Sequence, residues 1–198
     1  MISERNYGTE RRPPYPDRSG RDYFLPGRSV IMIDGSGMHY ALRALNADID
    51  YRRLRGLFVD DMRLIRALYY VVTAREEVAG VRRLLDWLDY NGYVVREKLG
   101  REFVDANGVR IRRGRISLEM AIDALEMVPL IDHLILFSGD GDLTALVEAV
   151  QRKGVRVTAV STLVTRPPMI STELRRQVDC FIDLRELMPL IAHERQLA

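Results

Sequence analysis

The chain predicts an α/β fold: a mostly parallel central sheet with helices on both faces, plus a β-hairpin insertion. Three observations carry this. Short apolar runs alternate with amphipathic helical stretches along most of the chain. Two of those runs stop at acid-glycine turns, Asp34-Gly35 and Ser138-Gly139-Asp140-Gly141-Asp142. Asn107-Gly108, the strongest short hairpin signal, separates two short strand-like runs.

Residues 1–27 contain RRPPYPDRSG and little apolar periodicity, so they are expected to form a disordered or draped arm. Residues 28–198 then form the folded domain. Its first strand is Ser29–Ile33, ending in Asp34. Met38–Leu45 and Tyr51–Asp60 follow as helices, and Leu64–Val72 as a buried strand. Glu76–Tyr90 is helical, because Val78, Val81, Leu84, Leu85 and Leu88 recur at three- to four-residue spacing. Asn91-Gly92 closes it. Tyr93–Lys98 is a strand, and Glu102–Val104 with Val109–Arg112 flank the hairpin turn. Ser117–Val128 is a helix with Ser117 as its expected cap. Strand Leu134–Phe137, helix Leu143–Lys153, strands Val155–Val160 and Cys180–Ile182 and a C-terminal helix complete the pattern.

Composition narrows the class. With 198 residues, 47% hydrophobic and 29% charged, the chain supports one globular domain with tails. No apolar run approaches the roughly 20 residues that span a bilayer, and the N-terminus is too polar for a secretory leader. The single cysteine, Cys180, rules out an internal disulfide; in VDCFIDL it reads as a core thiol. A cytoplasmic location is expected. Net charge is only +2, but Lys98 and Lys153 are the only lysines, so nearly all positive charge is arginine. Arginine suits bidentate phosphate contact; a GC-rich genome supplies it equally well.

Two carboxylates at a buried strand's end repel each other unless a cation or proton sits between them. A hard cation with oxygen ligands, Mg²⁺ or Mn²⁺, would answer that need. A plain turn with Asp142 capping the next helix explains SGDGD as well. Asp34 closes the first strand in the same way, and first strands in such sheets are usually central, which would set it beside Asp140. No GxGxxG or GxxxxGK[ST] follows the first strand, arguing against dinucleotide and P-loop binding. No His/Cys cluster suits zinc. His39, His133 and His193 are scattered and read as structural or surface residues. Helix Ser117–Val128 should run antiparallel to the strand after it, so Ser117 lies nearest the acids. Asp123 sits about 9 Å further down the axis. With Glu119 and Glu126 it reads first as a solvated polar stripe. Arg96, Lys98, Arg101, Arg110, Arg112, Arg113 and Arg115 crowd the hairpin and the approach to Ser117. Of these, Arg96, Lys98, Arg112, Arg113 and Arg115 are the candidate contacts to the phosphates of a polyanion. Glu97, Glu102 and Asp105 dilute the patch, and an ordinary charged hairpin is the bland alternative.

The succession VIMIDGSGMHYA, LDWLDYNGY, GRISLEMAIDALEM, DHLILFSGDGDLTALVEAVQRKGVRVTAVST and PPMISTELRRQVDCFIDL resembles the NYN domain. The likeness is to the LabA-like (DUF88) branch of the PIN-like nuclease superfamily and runs from about Arg28 to Leu187. It implies a PIN-like fold and a metal-dependent ribonuclease, with Asp34, Asp140 and Asp142 as catalytic and metal-binding acids. Asp123 or Glu119 would be a further ligand. Two positions depart from the family pattern: Gly37 stands where Asn is usual, and Ser117 where the helix usually opens with Asp. A smaller departure puts Leu143 where Phe is usual. The expectation is therefore a protein that acts on or binds RNA with impaired or lost catalysis, using Mg²⁺ or Mn²⁺ if the site works and no cofactor otherwise. The alternative is a pseudonuclease serving as a protein-interaction or scaffold subunit; a small-nucleotide phosphohydrolase is a third. Expected partners are RNA, a protein bound through the arm, and a second copy in a homodimer.

Overall fold

The computed structural model describes residues 27–59, 63–73, 79–104 and 110–193. The arm up to residue 26, the Asn107-Gly108 turn and the expected helix start at Glu76 lie outside the described residues. The first half comprises β1 (Arg28–Asp34), α1 (Gly35–Ala44), α2 (Tyr51–Val59), β2 (Arg63–Thr73), α3 (Ala79–Tyr90) and β3 (Val94–Leu99). A hairpin of β4 (Arg101–Val104) and β5 (Arg110–Arg113) follows, antiparallel and separate from the main sheet. The second half holds α4 (Ser117–Met127), β6 (His133–Phe137), α5 (Thr144–Gln151), β7 (Arg156–Ser161), α6 (Thr172–Gln177), β8 (Cys180–Asp183) and α7 (Leu184–Ile191).

The six main strands lie in the order β3-β2-β1-β6-β7-β8, and every neighbouring pair is parallel. Helices cover both faces of such a sheet, which explains the unbroken apolar runs of its central strands. Val30–Ile33 and Leu134–Leu136 are fully buried. Their side chains alternate between two cores. Ile31 and Ile33 pack with α1, α2, α3 and α7 through Met38, Leu54, Leu88 and Leu187. Val30 and Met32 pack with α4, α5 and α6 through Met120, Val147 and Leu174. The chain winds outward from β1 in one direction and from β6 in the other. The switch point between β1 and β6 is where an open α/β sheet offers a crevice at its carboxyl edge.

Two helix starts and one cap differ from the periodic reading. α1 begins at Gly35 rather than Met38, because the Asp34 carboxylate caps it. A short 3-10 turn at Gly141–Leu143 precedes α5, and Asp140, not Asp142, caps that turn. α4 does begin at Ser117, but its cap position is Ile116, so the Ser117 hydroxyl is available elsewhere. Among the described residues no helix is long and apolar enough to cross a membrane.

Candidate active site

β1 and β6 pair in register up to Ile33 and Phe137, so their next residues emerge side by side at the sheet's carboxyl edge. Asp34 Oδ1 accepts from the backbone N–H groups of Ser36 and Gly37, each at 3.0 Å. Burial raises the pKa of Asp34; those two donors oppose the shift and the nearby charge of Asp140 adds to it. The charge of Asp140 thus reaches the Asp34 carboxylate across this edge. Asp140 Oδ1 accepts from Asp142 N–H at 3.0 Å, and its Oδ2 accepts from the Ser117 hydroxyl at 2.7 Å. Gly139 makes the turn possible: a Cβ there would sit 2.3 Å from the carbonyl oxygen of Met169. Gly37 matters differently, since a Cβ there would lie 2.8 Å from Asp34 Oδ2.

The other acids are held elsewhere. Asp142 is half exposed and accepts from the Arg115 guanidinium, whose side chain is 80% exposed. Asp123 accepts from the Tyr70 hydroxyl at 2.9 Å and from Arg96 Nε at 3.1 Å. Glu119 accepts from Lys98 Nζ at 2.6 Å, and that ammonium holds the Glu119 pKa below the usual carboxylate range. Lys98 also donates to the Arg115 carbonyl at 2.8 Å. These pairs line a cleft of about 380 Å³ with Tyr70, Ile116 and Ile122. Three of the five candidate RNA contacts, Arg96, Lys98 and Arg115, are therefore paired with acids of the same chain. Arg112 and Arg113 lie on β5, with side chains outside the described set; Arg115 remains the most exposed of the described ones.

Among the described residues, no group of three or more His, Cys, Asp or Glu side chains stands close enough to hold a metal. The structure brings Asp34 and Asp140 together, and sets Ser117 beside them where the family acid was expected. Two carboxylates with water fit one hard cation, since Mg²⁺ is commonly held by one or two carboxylates plus substrate phosphates. They do not fit a four-carboxylate cluster.

Two residues at this edge escaped the sequence reading. Tyr70 is fully buried in β2 and anchors Asp123; its separation of 53 residues left no local signal. Asp183 ends β8 as Asp34 ends β1, and its strand-end position was legible. It caps α7 through Arg185 N–H at 3.0 Å and pairs with the Arg185 guanidinium. Burial pushes its pKa up, but the Arg185 contacts outweigh that and leave it lowered.

The family model of the NYN domain matches residues 28–186. The chain is 36% identical over 172 residues to the low amplitude and bright protein LabA of Synechococcus elongatus, covering 85% of this chain and 89% of that protein. A crystallised protein of unknown function from Vibrio parahaemolyticus shares the fold with a TM-score of 0.66 at 24% identity, over 80% of this chain and 93% of that one.

Proposed function

The chain belongs to the NYN domain family, and on that premise we propose that it binds single-stranded RNA across the sheet's carboxyl edge, with hydrolysis impaired or lost. The observation that carries this reading is the Ser117 hydroxyl donating to Asp140 Oδ2 at 2.7 Å. A neutral donor satisfies the carboxylate that a family acid would leave dependent on a cation. Asp34 is similarly satisfied on one oxygen by backbone donors.

When bound, a divalent ion would activate water and stabilise charge on a phosphodiester's leaving oxygen. Asp34 and Asp140 are the residues that would hold it. Arg115, exposed although paired with Asp142, would contact a backbone phosphate. Ser117 keeps Asp140 fixed, and Gly37 leaves Asp34 room to lie against the start of α1.

A labelled single-stranded RNA tests the proposal by two readouts, binding anisotropy and cleavage with Mn²⁺. Binding with little or no cleavage is expected. Robust, EDTA-sensitive cleavage abolished by Asp140→Asn would overturn the claim of impaired hydrolysis. Absence of binding would favour the second reading, a protein-interaction subunit. The apolar stripe Leu118, Ile122 and Leu125 on the exposed side of α4, 42–66% accessible, is what favours that alternative.

A further inference from the structure

On the opposite face of the sheet from α4 lies a cleft of about 500 Å³ between α1, α2 and α3. One part of its wall is aromatic and aliphatic: Tyr51, Tyr69, Leu84 and Trp87. His39, Asp48, Asp50, Arg52 and His193 are the polar members of the same lining. An aromatic wall facing convergent polar groups, at this size, suits a small planar ligand.

The cleft adjoins the acidic edge by one side chain. Tyr69 lines the cleft, and its hydroxyl lies 2.7 Å from where a Cβ on Gly35 would stand. The charge of Asp34 reaches the Tyr69 hydroxyl; burial first, and then that charge, raise the Tyr69 pKa. His39 is five residues along α1 from Asp34, about 7.5 Å of axial rise. Tyr69 thus joins the acidic edge to the cleft, and a nucleotide whose phosphate meets that edge would send its base past this side chain. Tyr51 packs edge-on against both Tyr69 and Tyr93, which stiffens the wall. The Arg52 guanidinium lies over the Trp87 indole, 5.7 Å from its centroid, so a planar cation already stacks where a planar base would.

We infer that this cleft is a nucleobase-binding subsite, with Trp87 and Arg52 stacking on a base of the bound strand. The inference rests on the RNA-binding reading for its source of bases. Base–aromatic stacking needs no particular base, so recognition here is tolerant of sequence.

Trp87 is the only tryptophan of the chain, so its fluorescence reports this cleft alone. A single-stranded RNA oligomer and, separately, the four nucleoside monophosphates are titrated into the full chain. RNA binding is followed in parallel by anisotropy. Saturable quenching by the oligomer is expected, at the concentration where anisotropy rises. Trp87→Leu should weaken RNA binding about tenfold, with Trp87→Phe largely restoring it. Thermal melts of both variants check that the fold survives, and His39→Ala, at an exposed position, gives a second weakening without touching the core. Quenching by monophosphates but not by RNA keeps the base-binding chemistry and assigns it to free nucleotides. RNA that binds without altering Trp87 fluorescence, and binds Trp87→Leu equally well, overturns the subsite while leaving the RNA reading intact. Quenching by neither ligand overturns it as well.

Discussion

Replacing Ser117 by Asp should make the folded protein dependent on a divalent cation. The wild-type hydroxyl donates to Asp140 Oδ2 at 2.7 Å. A hydrogen bond to a charged acceptor contributes about 1.5 kcal/mol or more, and Ser117→Asp loses it. The new carboxylate stands near that of Asp140. Two like charges about 4 Å apart repel by roughly 4 kcal/mol at an effective dielectric of 20; partial exposure cuts this to about half. The start of α4 returns about 0.5 kcal/mol through its dipole. The net loss is about 3 kcal/mol, a fall in melting temperature of about 6–12 °C for a domain of this size. Ser117→Ala is the control and should lose only the hydrogen bond. The assay is a thermal melt in EDTA and again in Mn²⁺, with calorimetric titration of the metal. Mn²⁺ should recover about 2–3 kcal/mol in the Asp variant at saturation and little in wild type. The loss should also shrink as pH falls, because protonating either carboxylate restores a donor. A variant as stable as wild type in EDTA, or an equal Mn²⁺ response in both, would refute the placement of position 117 at the acidic edge.

Further consequences concern other residues. His133 is buried and its pKa is pushed down to about 4, first by burial and then by Arg156. The unfolded imidazole takes up a proton below its ordinary 6.5 while the folded one stays neutral. Its contribution to stability is therefore complete above pH 6.5 and falls as pH drops toward 4, by up to about 3 kcal/mol; urea unfolding at pH 7 and pH 5 should show the slope, and His133→Gln should flatten it. Arg115→Ala should leave stability nearly unchanged, since its ion pair is exposed. It should reduce the slope of log affinity for single-stranded RNA against log salt by about 0.7, the value of one phosphate contact; an unchanged slope would remove Arg115 from the interface.

Strands and helices differ in how clearly local sequence marks them. β1 and β6 are buried on both faces, so their apolar runs stand out from any neighbour. Their common acidic endings placed Asp34 and Asp140 at one edge before any coordinates. The start of α1 was obscured for a physical reason: periodicity begins with the first buried residue, Met38, whereas a cap lies upstream of it. Asp123 and Glu119 mark the limit of helical spacing as a guide. Spacing puts them on one face of α4, but their cations, Arg96 and Lys98, come from β3, and Tyr70 from β2. Only the packing of α4 against that flank of the sheet brings those partners to them. The same packing withdraws Arg96 and Lys98 from the basic surface that their clustering suggested.

The two departures from the family pattern act on one electrostatic problem, and that makes them testable as a pair. Gly37 permits Asp34 to lie against the α1 N–H groups: a Cβ at 37 would come within 2.8 Å of Asp34 Oδ2 and force the carboxylate to turn. Ser117 gives Asp140 a neutral donor. Under the proposed reading Gly37 leaves Asp34 room to keep its backbone donors and Ser117 supplies Asp140 with one, so the acidic edge would need no cation. Gly37→Asn should cost about 1 kcal/mol by itself: turning the Asp34 carboxylate loosens the α1 cap, and the better helix propensity of Asn over Gly returns a few tenths. Combined with Ser117→Asp it should do more than either. Asp34 and Asp140 would then both lack their internal partners, and a third carboxylate would stand beside them. Mn²⁺ affinity of the double variant should exceed the product of the single effects, with a coupling of about 1 kcal/mol or more by a double-mutant cycle. Additivity within about 0.5 kcal/mol would show that positions 37 and 117 act on separate sites.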